Sequence, residues 1–296
     1  MENTSIYNLP NKIAIGTAQF GLDYGIANQN GKVNANEIRS ILDFAHEKGI
    51  NILDTAKAYG NSEKSIGNYL KLTEKNWYIV TKLSDNNQSV IEQIQDSKEK
   101  LTVMPTIILA HSADLFLDPM FQSKLQETKD KALIRGIGVS LYNEEEINQV
   151  LDSKIKPDVI QLPMNILDTR LYRSGVLSKL FDREIEIHVR SVFLQGLFYL
   201  SKVELEDGFK DIIPYLEKFK SISADSGLTL SEFSLLWLVS LKEVSKVIIG
   251  IDNVSQLKNH LDTIKRNIDS SVFEEALSIH YENENILNPS LWPTKS

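Results

Sequence analysis

Asp54 and Tyr59 stand five residues apart in the stretch Ile50-Asn51-Ile52-Leu53-Asp54-Thr55-Ala56-Lys57-Ala58-Tyr59-Gly60. Ile50, Ile52 and Leu53 read as a short buried strand, which puts Asp54 at its end and Tyr59 on the loop after it. A helix can start at Gly60-Asn61-Ser62. Taken alone, the pair is equally a helix-capping Asp and a packing Tyr. Two further strand ends add to it: Lys82 follows Val80-Thr81, and His111 follows Leu109-Ala110. A phenol has a pKa of about 10 and is a poor acid near neutrality. A neighbouring ammonium favours the phenolate and lowers that value. Lys82 can supply the ammonium, and Asp54 can hold it charged and oriented. Asp, Tyr, Lys and His gathered at strand ends make a proton-donating site. Other readings stay open, with Lys82 a solvated strand-end charge and His111 capping a turn through Ser112 and Asp114.

Such a site needs a scaffold that brings strand ends together. Apolar runs at Ile13–Thr17, Ile50–Leu53, Trp77–Val80, Thr106–Leu109, Ile137–Val139, Val159–Leu162, Ile185–Val192 and Val247–Ile249 read as eight strands. Between them lie helical patterns. Asn34 or Asn36 caps a helix carrying Ile38, Ile41, Leu42 and Ala45 that Gly49 ends. Others pass through Ile66, Tyr69 and Leu70, then Ser89–Leu101, Phe121–Leu133, Glu144–Leu151, Val176–Phe181, Phe209–Ser223, Ser231–Leu241 and Val254–Ile264. Strands alternating with helices demand a parallel sheet, and eight units close it. The expected fold is α/β, a single (β/α)8 TIM barrel over residues 1–296, with an extra helix at Val272–His280 and a C-terminal tail. Loops at the C-terminal ends of barrel strands converge on one mouth, where Asp54, Tyr59, Lys82 and His111 all fall. Gly21 and Gly25 read as flexible points in the first loop, and Trp77 as a core residue inside the third strand.

Composition narrows the function. A hydrophobic fraction of 42% and a charged fraction of 24% are those of an ordinary globule. The net charge of −8 argues against nucleic-acid and anionic-membrane partners, which want a basic face. With no cysteine, thiol nucleophiles, disulfides and Cys-zinc sites are excluded. His46, His188, His260 and His280 read as structural or exposed, and no pair has metal-ligand spacing. The start Met1-Glu2-Asn3-Thr4-Ser5 lacks a basic residue and an apolar run, so no signal peptide is read and a cytoplasmic protein is expected.

The set resembles the aldo-keto reductase superfamily. Asp54-Thr55-Ala56-x-x-Tyr59-Gly60, Thr81-Lys82 and Leu109-x-His111 are similar to its Asp, Tyr, Lys, His tetrad. Gly136-Ile137-Gly138-Val139-Ser140, Gln161-Leu162-Pro163-Met164-Asn165 and Val247-Ile248-Ile249-Gly250 follow in the family's order. The resemblance implies an NAD(P)H-dependent reduction of a small-molecule aldehyde or ketone, with hydride from the nicotinamide, proton from Tyr59 and alignment by His111. It implies a cofactor site of Gly16, Thr17, Ser140, Gln161, Arg190, Ser191, Leu194, Gly196, Gly250, Asp252, Gln256 and Asn259, with His260 near the adenine and no metal. Ser140 and Gln161 would hold the carboxamide, and Phe193-Leu194-Gln195-Gly196 would cover the pyrophosphate. Leu141 stands where the family often has Asn, and Arg190 where many members stack a Tyr. A guanidinium can stack too.

After Gly250 come Ile251-Asp252-Asn253, where many members place hydroxyl and cationic groups for a 2′-phosphate. A carboxylate there would repel the phosphate, or bond the free 2′-hydroxyl of NAD. NADP(H), the family's default, is kept narrowly over NAD(H). The apolar tail Asn285–Pro293 is expected to fold back, either lining the mouth or packing on outer helices. Its likeness to tails of bacterial reductases in sugar and surface-glycan pathways suggests a sugar-derived carbonyl. Two rivals are a dinucleotide-binding sensor or regulatory subunit, and a redox-neutral lyase or epimerase using Lys82 as a Schiff-base amine. An Asp54-paired Lys82 would be a poor nucleophile. No oligomeric state is read from the residues.

Overall fold

Eight parallel strands close on themselves in chain order in a computed structural model that describes residues 10–84 and 88–292. They are β1 (Ile13–Gly16), β2 (Ile52–Asp54), β3 (Tyr78–Leu83), β4 (Ile107–Ala110), β5 (Gly136–Ser140), β6 (Val159–Pro163), β7 (Glu186–Arg190) and β8 (Val244–Gly250). The β1–β8 pairing completes the ring, and helices alternate with the strands. This is the (β/α)8 barrel expected from the alternation.

Period-two geometry explains why the strands position a site. One parity, including Leu53, Ile79, Leu83, Ile108, Ile137, Ile160 and Val189, joins the large cluster shared with the helices. The other parity faces the barrel axis, where Val80, Leu109 and Val159 form a separate small cluster with Ile52 and Ile107. Two residues beyond Ile52, Val80, Leu109 and Val159 come Asp54, Lys82, His111 and Gln161. The alternation that fills the interior with apolar groups thus carries polar ones to its C-terminal mouth. Gly138 has the inward parity where the axis is narrow: a Cβ there would meet the Val159 carbonyl at 2.0 Å.

Helix ends follow their capping residues. Asn34, rather than Asn36, caps Ala35–Glu47, and its side chain accepts from Asn36 and Glu37 amides. Gly49, φ +84°, turns the chain after it. Ser89 and Thr229 form capping boxes with Glu92 and Glu232. Trp77 corrects one expectation: it lies just before β3, half-buried, with its ring edge-on to His46 at 5.5 Å.

The extra helix spans Val272–Leu277, and a short one, Glu284–Leu287, begins the tail. Ile286 and Leu287 are buried, while Trp292 packs on Phe209 at 4.8 Å and donates to the Ile286 carbonyl at 3.0 Å. Pro293, the last residue of the expected tail, and the Met1–Ser5 segment lie outside the described residues. Among those described, no helix is long and apolar enough to cross a membrane.

Candidate active site

The mouth opens into a cavity of about 680 Å³ lined by Asp54, Tyr59, Lys82 and His111 at one end and Asp252, Gln256 and Asn259 at the other. The Tyr59 loop is fixed by backbone bonds from Thr55 N to the Val80 carbonyl and from Lys57 N to the Lys82 carbonyl. A hydroxyl cluster of Thr17, Thr55 and Ser62 ties it to the end of β1. Gly21 is where the two loops touch. A Cβ on Gly21 would lie 1.8 Å from the Tyr59 carbonyl oxygen, so close approach rather than flexibility requires glycine there.

Lys82 and Asp54 form a buried ion pair, 1% and 4% exposed. The Lys82 ammonium donates to Asp54 Oδ1 at 2.8 Å, to Asp54 Oδ2 at 2.6 Å and to the Thr55 carbonyl at 3.0 Å. Its three donors are all taken. Gln161 Nε2 adds a third bond to Asp54 at 2.7 Å. Lys82 Nζ lies 5.1 Å from the centre of the Tyr59 ring, which meets the His111 ring edge-on at 6.4 Å. His111 does not cap the following helix; Ser112 does, accepting from the Leu115 amide.

The electrostatics correct a second expectation. Burial, and next the Asp54 carboxylate, push the Tyr59 phenol above its ordinary value, with the Arg190 charge opposing. Burial and the nearby carboxylate both favour the protonated phenol. Burial also pulls Lys82 below the usual lysine value, with Asp54 opposing. His111 is lowered from 6.5 to about 4 by burial, then by Lys82 and Arg190, and stands neutral at pH 7. The folded state therefore binds fewer protons at His111 than the unfolded chain between those values. Stability from this group is present above pH 6.5 and lost as pH falls to about 4. His111→Asn should flatten the loss of denaturation stability over that window by up to about 3 kcal/mol. An unchanged pH slope in urea melts would contradict it.

Eleven of the twelve cofactor residues expected from sequence border the same cavity: Gly16, Thr17, Ser140, Gln161, Arg190, Ser191, Gly196, Gly250, Asp252, Gln256 and Asn259. Leu194 does not; its fully buried side chain belongs to the core. Thr17 borders the space, but its hydroxyl donates to the Asp54 carbonyl at 2.9 Å. Arg190 donates to Ser140 Oγ at 3.3 Å, and its guanidinium lies 4.3 Å from the centre of the Tyr142 ring. Ser191, Leu194, Gln195 and Gly196 have φ of 61°, 47°, 51° and 95°, which concentrates backbone strain in the loop after β7. That loop meets the first one: Ile26 N donates to the Gln195 carbonyl at 2.9 Å, and Gly25 and Gly196 sit in the contact.

The cavity also holds residues the sequence left unassigned, among them Gln19, Tyr24, Tyr142, Tyr199 and Glu232. Only the first loop's glycines signalled Tyr24, and nothing local marked the rest. His260 lines the cavity and stacks on Phe193 at 4.9 Å. Pro289 and Ser290 bring the tail to the mouth, while Trp292 packs outside it. Among the described residues no group of His, Asp or Glu could hold a metal.

A nicotinamide dinucleotide suits these groups. Gln161 Oε1 is buried with no partner and can accept from a carboxamide, and Asp252 Oδ1 is likewise orphaned and can accept from a ribose hydroxyl.

Comparison with known proteins agrees. The model of the aldo/keto reductase family matches residues 12–280. L-galactose dehydrogenase of Arabidopsis thaliana is 24% identical over 281 residues, covering 84% of this chain and 85% of that protein. The uncharacterized oxidoreductase YqkF of Bacillus subtilis strain 168 is 22% identical over 284 residues, covering 84% and 90%. The holo form of aldo-keto reductase AKR11C1 from Bacillus halodurans superposes with a TM-score of 0.74 at 20% identity, covering 92% of this chain and 94% of that one.

Proposed function

Because the chain belongs to the aldo/keto reductase family and is therefore an NAD(P)H-dependent oxidoreductase, we propose that it reduces an aldehyde or ketone to an alcohol with Tyr59 as the proton donor. The observation that carries this reading is the gathering of Tyr59, His111 and the buried Lys82–Asp54 pair on one cavity wall, with Lys82 Nζ 5.1 Å from the Tyr59 ring. A bound reduced nicotinamide supplies the hydride. Ser140 and Gln161 would orient its carboxamide, Gln161 through the free Oε1. Tyr59 gives its proton to the carbonyl oxygen, and neutral His111 donates a second hydrogen bond there. Asp54 and Lys82 fix one another and the wall behind the phenol.

The substrate class follows from the lining and from a relative. Tyr24, Gln195 and Ser290 bring hydroxyl and amide groups to the cavity lining. These suit a polyhydroxylated carbonyl, and a relative named L-galactose dehydrogenase supports a sugar-derived one.

At the far end, Asp252 and Glu232 are the charged groups lining the cavity among the described residues, and no lysine or arginine lines it there. Asp252 is fixed by Gln256, whose Oε1 accepts from the Asp252 amide at 2.8 Å. A 2′-phosphate would meet two carboxylates, Asp252 and Glu232, with Arg266 acting on Glu232 from outside the lining. This charge balance moves the proposed cofactor from the family's NADP(H) to NAD(H). Asp252→Arg should tighten NADPH relative to NADH by about one to two orders of magnitude at low salt, and less at high salt. An unchanged affinity ratio in fluorescence titrations would mean that Asp252 points away from the cofactor.

The Schiff-base reading fares poorly, since all three Lys82 donors are engaged and its lone pair is not free. The test is cofactor titration by fluorescence, then oxidation of NADH and NADPH against a panel of aldehydes and keto-sugars. Turnover of some of the panel is expected. Tight cofactor binding with no turnover across it would favour the sensor reading instead.

A further inference from the structure

We propose that Arg190 biases the bound nicotinamide couple toward its reduced form, so that this site retains the reduced dinucleotide more tightly than the oxidised one. The inference rests on the proposed function, which places a nicotinamide at the Ser140 and Gln161 end of the cavity. The charges there can be counted. Asp54 and Lys82 cancel within one buried pair. His111 is neutral, and the Tyr24 and Tyr59 phenols keep their protons. Arg190 remains, and its charge is felt at Tyr24, Tyr59, Lys82 and His111 alike.

No carboxylate among the described residues pairs with this guanidinium. Its contacts are Ser140 Oγ at 3.3 Å, Ser191 Oγ at 3.4 Å and the Tyr142 ring at 4.3 Å, all neutral. Those contacts hold it in place at the end of β7 without neutralising it. Arg190 is partly buried, so solvent screens it incompletely. A reduced nicotinamide ring is neutral, whereas the oxidised ring carries a positive charge. Only the oxidised ring is repelled by an uncompensated cation. The bonds to Ser140 and Ser191 place Arg190 among the groups that would surround that ring, so the repulsion falls on the redox-active part of the cofactor. At an effective dielectric between those of protein and water, it is worth about tenfold in affinity.

The test is isothermal titration of the full chain with NADH and NAD+, and with NADPH and NADP+. It is run on the wild type, Arg190→Gln and Arg190→Lys, with thermal melts to confirm folding. The wild type should hold the reduced form about tenfold more tightly or better. Arg190→Gln should abolish most of that ratio, chiefly by tightening the oxidised form, while Arg190→Lys, which keeps the charge, should preserve it. Equal affinities in the wild type would overturn the proposal, even if no variant folded. So would an unchanged ratio in Arg190→Gln, or the same shift in both variants, which would make the guanidinium's shape the cause. A wild type that bound neither form would instead overturn the nicotinamide reading on which the proposal stands.

Discussion

Tyr59→Phe is expected to lower carbonyl turnover by about 10²–10⁴-fold while cofactor affinity stays near wild type. The ring would keep its place over Lys82 and against His111, because those contacts are made by the ring and not by the hydroxyl. Only the proton donor is lost. The phenol is held protonated by burial and Asp54, so the wild-type reduction rate should not fall across neutral pH for lack of the acid. Steady-state kinetics beside a cofactor titration separate the two quantities. Near-native turnover in the variant would remove Tyr59 from the chemistry, and a parallel loss of cofactor binding would show that it acts through the pocket.

Lys82→Met is expected to be comparably inactive and also less stable. It would leave the Asp54 carboxylate buried with only Gln161 as a side-chain donor. Breaking one side of a buried pair costs about 3–5 kcal/mol, most of it the penalty of an uncompensated charge. The same charge, no longer balanced, would push the Tyr59 phenol higher still and weaken it as an acid. Removing the carboxylate as well, in Lys82→Met/Asp54→Asn, should recover much of the stability in urea melts but not the turnover. Equal stability of the single and double variants would mean that the buried charge is not the cause. Trapping of wild-type Lys82 by substrate and borohydride would revive the Schiff-base reading.

What the sequence showed and what it hid divide along the range of the interactions. Strand positions were legible because inward and outward faces alternate on single strands, as in Ile52-Leu53-Asp54 and Val80-Thr81-Lys82. Helices of three turns or so announced themselves by period and cap, as at Asn34 and Ser89. The four-residue helices Arg170–Arg173, Lys202–Leu205 and Glu284–Leu287 did not, since one turn is too short to show a period. Side chains of the expected tetrad share one cavity because each sits at a strand end or the loop after it. The direction of the Tyr59 shift was not legible. It depends first on how deeply the folded chain buries the phenol, which is a matter of tertiary packing. Arg190 on Tyr142 joins the ends of two strands far apart in sequence, and Gly21 against Tyr59 joins two loops. Neither contact has a local signature. Leu194 had the motif's position, but the strained turn after Ser191 aims its side chain into the core.

The central claim is hydride transfer to a carbonyl with Tyr59 as the acid. Its most direct test is a single-turnover experiment with reduced dinucleotide carrying deuterium on the transferable position of the nicotinamide, and a carbonyl found active in the panel. Mass spectrometry of the alcohol should show one deuterium on the former carbonyl carbon with the wild type. With Tyr59→Phe, at saturating cofactor, the label should stay on the nicotinamide over the same interval. Alcohol formed without deuterium, or labelled at the wild-type rate by Tyr59→Phe, would contradict the account.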